Sequence, residues 1–315
     1  MKTRIGAIEA CIHRDVGRGM EAVFRATEGG LWGAASALAA APAPRIGLIT
    51  GFFVPFGNPP AAETDGPAGA ALLALGLTGA GLSCRLATDT LCQSACRAAL
   101  DAAGARGVPI DAAAPNGSVD SLIDLWRRDG IDLVIAIERC GPAADGRPRN
   151  MRGTDMSSYT APLEVLFSAG PWTTIAIGDG GNEVGMGSVP VDQHVPLGHQ
   201  IGCVVPADCL VACGVSHWGA YAMLAALALM RPDWSAPMLQ GLNPALDRAV
   251  IEAMVRNGPA VDGITLRREP TIDGLGMHVH QEVMDAIMRL LSWPELSGPP
   301  IATPSSHGWP GQAVP

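Results

Sequence analysis

Lysine is almost missing from this chain: it occurs once, at Lys2. No Schiff-base lysine can stand elsewhere, which excludes pyridoxal-phosphate chemistry, and no Walker A loop can form, because that loop needs its own lysine at the phosphates. Aromatic residues make up only 4% of the chain. No apolar run reaches the roughly 18–20 residues that a bilayer-spanning helix requires. The longest runs, Ala70–Leu77 and Ala220–Met230, read as buried helices. No basic run offsets the net charge of −9, so neither nucleic acid nor an anionic membrane surface is expected as a partner. The N-terminus, Met-Lys-Thr-Arg followed by Glu9, His13 and Asp15, lacks an apolar core for a secretory signal. A Gly-x-Ser-x-Gly nucleophile elbow is also missing.

What is present is apolar and rich in turns. Nearly half the residues are hydrophobic, at 48%, and 39 are glycines. Eight cysteines are scattered without a completing His or Cys pair. Cys92 and Cys96, like Cys209 and Cys213, stand one helical turn apart if helical, and are read as small buried hydrophobes rather than zinc ligands. A reducing, cytoplasmic setting is expected, or the mitochondrial matrix in a eukaryote.

The chain divides into a helical N-terminal segment (1–44), a catalytic α/β region (45–293) and a proline-rich tail (294–315). In the first, Ile5, Ile8 and Ile12 share a face, and Leu31–Ala41 forms an alanine-rich helix. Strands are expected at Arg45–Thr50, Leu82–Ala87, Val108–Ile110, Leu133–Ile137 and Trp172–Ile177. Between them, helices are expected from Asp65 (as N-cap) to Thr78, over Asp89–Ala102 and over Val119–Arg128. Further helices fit Asn243–Arg256 and Met277–Leu291. This alternation predicts a mostly parallel, Rossmann-like sheet with helices on both faces. Two segments, Val261-Asp-Gly-Ile264 and Ile272-Asp-Gly-Leu275, echo one another but are too short to be a repeat.

In such a sheet, ligands bind beyond the carboxyl ends of the strands. The residues that follow the predicted strands are Thr50-Gly51 with Glu63-Thr-Asp65, then Thr88-Asp89, Glu138-Arg139, and Gly178-Asp-Gly-Gly-Asn-Glu183. The last segment continues to Gly187. It is no dinucleotide fingerprint, because Glu183 stands where the third glycine would be. Bare backbone beside Asp179, Asn182 and Glu183 suits a hard cation, a substrate ammonium or acid–base work. Arg139 either neutralises Glu138 or clamps a substrate carboxylate. Arg152 is a second candidate contact. Ser216, preceding the helix from Ala220, is a plausible N-cap, and His217 an acid or base. His278 and His280 are expected at the surface.

In combination these segments resemble the D-glutamate cyclase family. The matching residues are Thr50-Gly-Phe-Phe53, Ala62-Glu-Thr-Asp-Gly-Pro67, Ile137-Glu-Arg139, Gly141-Pro-Ala-Ala-Asp-Gly146, Asn150-Met-Arg-Gly153, Ile177–Gly187 and Gly214–Tyr221. Cys140 stands where the family pattern has proline, and His217 where it has asparagine. The resemblance implies reversible conversion of D-glutamate to 5-oxo-D-proline and water, by acid–base or metal-assisted intramolecular amide formation. The combined reading nominates Glu63, Asp65, Glu138, Asp179, Asn182 and Glu183 as catalytic. Glu63 or Asp65 is then the base, while Asp179 and Glu183 act as acid or hold Mg²⁺ or Mn²⁺. Thr50, Arg139, Asn150, Arg152, Gly180, Gly181, Ser216 and His217 are nominated for substrate binding, the glycine amides facing an oxyanion. The expected partner is a small molecule, with a homo-oligomer also admissible. Competing readings are a metal-dependent lactam hydrolase, a non-catalytic amino-acid-binding protein and, more weakly, a nicotinamide-dependent dehydrogenase.

Overall fold

A computed structural model describes residues 1–190, 195 and 198–292. The proline-rich tail at 294–315 lies outside the described residues. The central sheet is built from β1 (Arg45–Thr50), β4 (Ser83–Asp89), β5 (Ile110–Ala113), β6 (Leu133–Ile137), β7 (Thr173–Gly178) and β8 (Cys209–Ala212), all paired in parallel in the order β5-β4-β1-β6-β7-β8. A small antiparallel hairpin, β2 (Phe53–Val54) with β3 (Ala61–Ala62), rises from the end of β1.

The sheet is parallel because its central strands are apolar on both sides. Every residue of β6 is buried, as is all of β1 after Arg45, the pattern of a strand covered on both faces. One face carries α4 (Pro67–Gly79), α5 (Gln93–Ala103), α9 (Ser216–Met230), α10 (Ser235–Gly241), α11 (Pro244–Asn257) and α12 (Met277–Ser292). Two helices of the N-terminal segment, α1 (Lys2–Ile12) and α3 (Gly30–Ala40), join that core through Ile5, Ile8, Ile12 and Leu31. On the opposite face lie α2 (Glu21–Ala26), α6 (Asp120–Arg128) and α7 (Leu163–Ser168), packed around Trp126 and Trp172. A short helix, α8 (Gly198–Ile201), precedes β8.

Local chemistry explains several ends. Asn243 caps α11 by accepting from the amides of Ala245 and Leu246, with Pro244 as the first helical residue. Gly104 ends α5 in the left-handed conformation.

Some expectations need correction. β5 begins at Ile110 rather than Val108. α5 begins at Gln93, because Asp89 is the last residue of β4 and its carboxylate is engaged elsewhere. β8 was not anticipated. It places Cys209 on a strand, so Cys209 and Cys213 are not one helical turn apart. Asp65 is not a side-chain cap of α4, nor Ser216 of α9. Gly66 and Val215 occupy those positions, and neither makes a side-chain cap bond. His280 is fully buried and accepts a bond from Trp218 Nε1 at 2.9 Å.

Gly47 in β1 faces Trp126: a Cβ there would lie 2.2 Å from the indole ring. Gly47→Ala should therefore destabilise the fold by about 1–3 kcal/mol through overpacking. Urea denaturation checks this, and an unchanged midpoint would contradict the packing described.

Candidate active site

The parallel register decides where the polar residues meet. Thr50 pairs with Ile137, and Ile137 with Ile177, so β1, β6 and β7 end side by side. The chain leaving each end supplies one wall of a cleft of about 100 Å³. Its acidic side is formed by Glu63, Glu138, Asp179, Glu183 and Asp273, and its apolar side by Phe52, Val54, Phe56, Ile264 and Leu266. Asn150, Arg152, Asn182 and Arg18 also line it.

Two backbone features make the approach close. Gly66 has φ +79°, and a Cβ there would lie 2.6 Å from Thr50 Oγ1 and 2.8 Å from Glu138 Cβ. Glu138 itself has φ 45°, unusual for a residue with a side chain, and such backbone strain is a recurrent feature of functional sites. The turn aims its carboxylate at Ser216, whose hydroxyl donates to Glu138 Oε2.

Ser216 joins the remaining acids. Its amide, the first of α9, donates to Asp179 Oδ2 at 2.8 Å and to Asp65 Oδ2 at 3.1 Å. Asp65 Oδ1 accepts from the amide of Gly66 at 2.6 Å. A helix N-terminus favours negative charge at this point. Glu183 Oε1 accepts from the amides of Gly180 (2.7 Å) and Asp179 (3.2 Å), while its Oε2 is buried without a partner. Gly180 thus directs its amide to Glu183, not to an oxyanion, and Gly181 turns the chain with φ +91°. Asn182 Nδ2 donates to Arg149 O at 2.9 Å, fastening this turn to the 141–156 loop. In that loop Asn150 Oδ1 accepts from the amides of Arg152 and Thr154, an arrangement that presents Arg152 at the cleft.

Arg139 is the main correction to the expected site. It is 1% exposed, forms a bidentate pair with Asp89, and donates to the carbonyls of Gly51 and Ala161. With those contacts made beneath the cleft, it is not the carboxylate clamp. Thr50 is buried under the loop with Oγ1 unpartnered, away from the cleft lining. His217 also stands behind the site: its Nε2 is 2.6 Å from Asp247 Oδ1, and Tyr221 OH donates to Asp247 Oδ2 at 2.6 Å.

Two site residues escaped the sequence reading. Arg18 comes from the N-terminal segment, and its guanidinium lies 2.8 Å from Asp273 and 3.4 Å from Asp179. Its signal was Gly17-Arg-Gly19, with both glycines at positive φ. Asp273, at φ 55°, belongs to the second Asp-Gly segment. Asp262, in the first, accepts from Gly274 N at 2.8 Å, so the sequence echo is a contact in space.

Burial dominates the electrostatics. It pushes Glu63, Glu138 and Asp179 well above the usual carboxylate range, and neighbouring carboxylates add to it. Asp65 is raised from 3.8 to about 7, first by burial and then by Asp273. Two overlapping groups of carboxylates, Asp65–Asp179–Asp273 and Glu138–Asp179–Glu183, bring oxygens within 4.8 Å of one another and could hold a metal ion.

The profile of a family described as D-glutamate cyclase-like, C-terminal, matches residues 8–288. The chain belongs to this family. The match to the cyclase-like family takes in Arg18, the hairpin, all six strands and Asp273. Human mitochondrial D-glutamate cyclase is 34% identical over 200 residues, which cover 58% of this chain. The chain spans about a third of that protein, the aligned part being 32% of its length. Among the described residues of this cyclase-like chain, no helix is long and apolar enough to cross a membrane.

Arg139→Ala should cost about 3–5 kcal/mol of stability, since it leaves Asp89 buried and unpaired. An unchanged denaturation midpoint with a raised KM would return Arg139 to the site. The raised carboxyls set the pH dependence. A carboxyl with a higher pKa in the folded chain than in the unfolded one binds its proton more tightly when folded. The Asp65 contribution is complete below its ordinary value of 3.8 and is lost as pH rises through about 7, with Glu63, Glu138 and Asp179 acting in the same direction. Denaturation midpoints should fall across that window; midpoints that rise would refute this reading of the cluster.

Proposed function

We propose that the chain is a D-glutamate cyclase, a carbon–oxygen lyase that interconverts D-glutamate with 5-oxo-D-proline and water. The observation that carries this reading is a small cleft lined by Glu63, Glu138 and Asp179, whose burial favours the protonated carboxyl, in a chain of the cyclase-like family.

Ring closure forms a C–N bond between the α-amine and the γ-carboxyl carbon and breaks one C–O bond. Two protons leave the ammonium nitrogen, and the departing oxygen takes two to become water. A free γ-carboxylate resists attack, so it must first be neutralised. Asp65, raised to about 7, suits the base that removes a proton from nitrogen, because a pKa near the working pH is the most effective for proton transfer. Asp65 does not itself line the cleft; Glu63, two residues before it on the cleft wall, passes it the proton. Glu138, fixed by Ser216 and favouring its protonated form, supplies the first proton to the γ-carboxyl, Asp65 returns its nitrogen proton to the departing oxygen as the second, and the other nitrogen proton restores Glu138. Asp179 and Glu183 complete the acidic floor. Arg152, presented by Asn150, holds the α-carboxylate, the role expected of Arg139. Phe52, Val54 and Leu266 face the ring methylenes. Holding amine and γ-carboxyl together makes the attack unimolecular, a substantial part of the barrier reduction.

The cleft also fits a divalent ion. Its donors are all oxygen, and Glu183 Oε2 is buried without a partner, so Asp179, Glu183 and Glu138 would hold Mg²⁺ or Mn²⁺ rather than Zn²⁺. When bound there, the ion would polarise the γ-carboxyl.

Incubating purified protein with D- and L-glutamate, with and without Mn²⁺, and resolving products on a chiral column tests the reading. The expected product is 5-oxo-D-proline from the D-substrate. Asp179→Asn and Glu183→Gln should each lower turnover by about 100-fold or more, as loss of an acid–base or ligand group does, with circular dichroism unchanged. Near-normal turnover in both variants would overturn these assignments.

A further inference from the structure

The loop that carries Arg18 is built to deliver it. The carboxylate of Asp15 accepts from four successive amides, those of Gly17, Arg18, Gly19 and Met20. Gly17 and Gly19 adopt φ +101° and +77°, conformations that side chains disfavour. Arg18 then reaches the cleft with its side chain only 13% exposed, donates to Gly214 O at 2.8 Å, and forms ion pairs with Asp273 at 2.8 Å and Asp179 at 3.4 Å.

That guanidinium lies against the first of the two carboxylate groups, Asp65–Asp179–Asp273, whose oxygens approach as metal ligands do. The second group, Glu138–Asp179–Glu183, shares Asp179 with it. Facing the same cleft, Glu63 Oε1 and Glu183 Oε2 are buried and unpartnered, so oxygens remain to receive a ligand. Arginine suits the first position, since it is permanently charged and less strongly hydrated than an ammonium ion.

We infer that Arg18 is the resident cation of the Asp65–Asp179–Asp273 group, and that it directs an incoming cation, whether an ammonium group or a divalent metal, to Glu138–Asp179–Glu183. Two overlapping sites thereby act as one, and the N-terminal segment completes the cleft. The inference concerns cation occupancy and does not depend on the proposed reaction.

Mn²⁺ binding to the full chain, counted by electron paramagnetic resonance and calorimetry, tests it without reference to turnover. Arg18→Gln should bind one more Mn²⁺ per chain than the unaltered protein, and adding Asp273→Asn should abolish the extra site. Arg18→Lys, which keeps a charge, should leave the count unchanged. Equal counts in the unaltered protein and Arg18→Gln would overturn the inference, as would an extra site that survives Asp273→Asn. If Arg18→Gln folds only when Mn²⁺ is supplied, the ion is replacing the guanidinium and the inference stands. If it stays unfolded at millimolar Mn²⁺, the inference fails.

Discussion

Carboxylates crowded together away from water govern this molecule. Oxygens from three acidic residues lie within 4.8 Å of one another, twice over, with Asp179 common to both groups. At an effective dielectric constant near 20, two full charges at that separation repel by about 3 kcal/mol or more. The cluster therefore cannot be fully ionised, and the surrounding structure consists of remedies. The α9 amide of Ser216 is shared between Asp65 and Asp179. The Gly180 amide serves Glu183. Arg18 bridges Asp179 and Asp273. The remaining relief lies in the raised pKa values of Glu63, Asp65, Glu138 and Asp179, whose burial favours the uncharged carboxyl.

Such crowding needs a rigid frame. Three strands ending in register set the carboxylates' separation, and the Arg139–Asp89 pair locks the ends of β6 and β4 to the carbonyls of Gly51 and Ala161. The two arginines divide the work according to depth. Arg139, 1% exposed, has its partners beneath the sheet edge and is structural, whereas Arg18 faces the cleft. Sequence alone favoured Arg139 for the substrate because it directly follows a strand. The structure shows that its neighbour Glu138 takes the outward path, through its left-handed backbone, and leaves the guanidinium turned inward.

What the sequence made legible follows the same logic. Continuous apolar runs such as Leu133–Ile137 identify strands buried on both faces, and the residues that follow them had to share an edge once the sheet was parallel. The Gly178–Gly187 segment was recognisable because bare backbone beside acids is a local pattern. The four-residue strand β8 lacks the length to stand out from a helix segment. Arg18 was marked only by its flanking glycines and Asp273 only by the Asp-Gly echo, and that both reach the cleft follows from long-range packing. The same holds for His217 with Asp247, 30 residues apart in the chain and joined only in the core. The Asp-Gly echo was visible, but that its two copies touch is a property of the fold.

On the proposed reaction, the charge of the cleft bears on the order of events. D-glutamate brings two carboxylates and one ammonium group, and an acidic cleft repels the first two. Arg152 can compensate one of them, at the mouth. The second must reach the floor, where Glu138 and Asp179 favour their neutral forms. Entry of the γ-carboxylate there favours a shared proton between substrate and protein, and that same proton makes the carboxyl electrophilic. Under the proposed function, the repulsion that raises the pKa values would thus activate the substrate as it binds. Ring closure would then remove both the ammonium and the γ-carboxyl charge, and the one carboxylate of the proposed product would stay with Arg152.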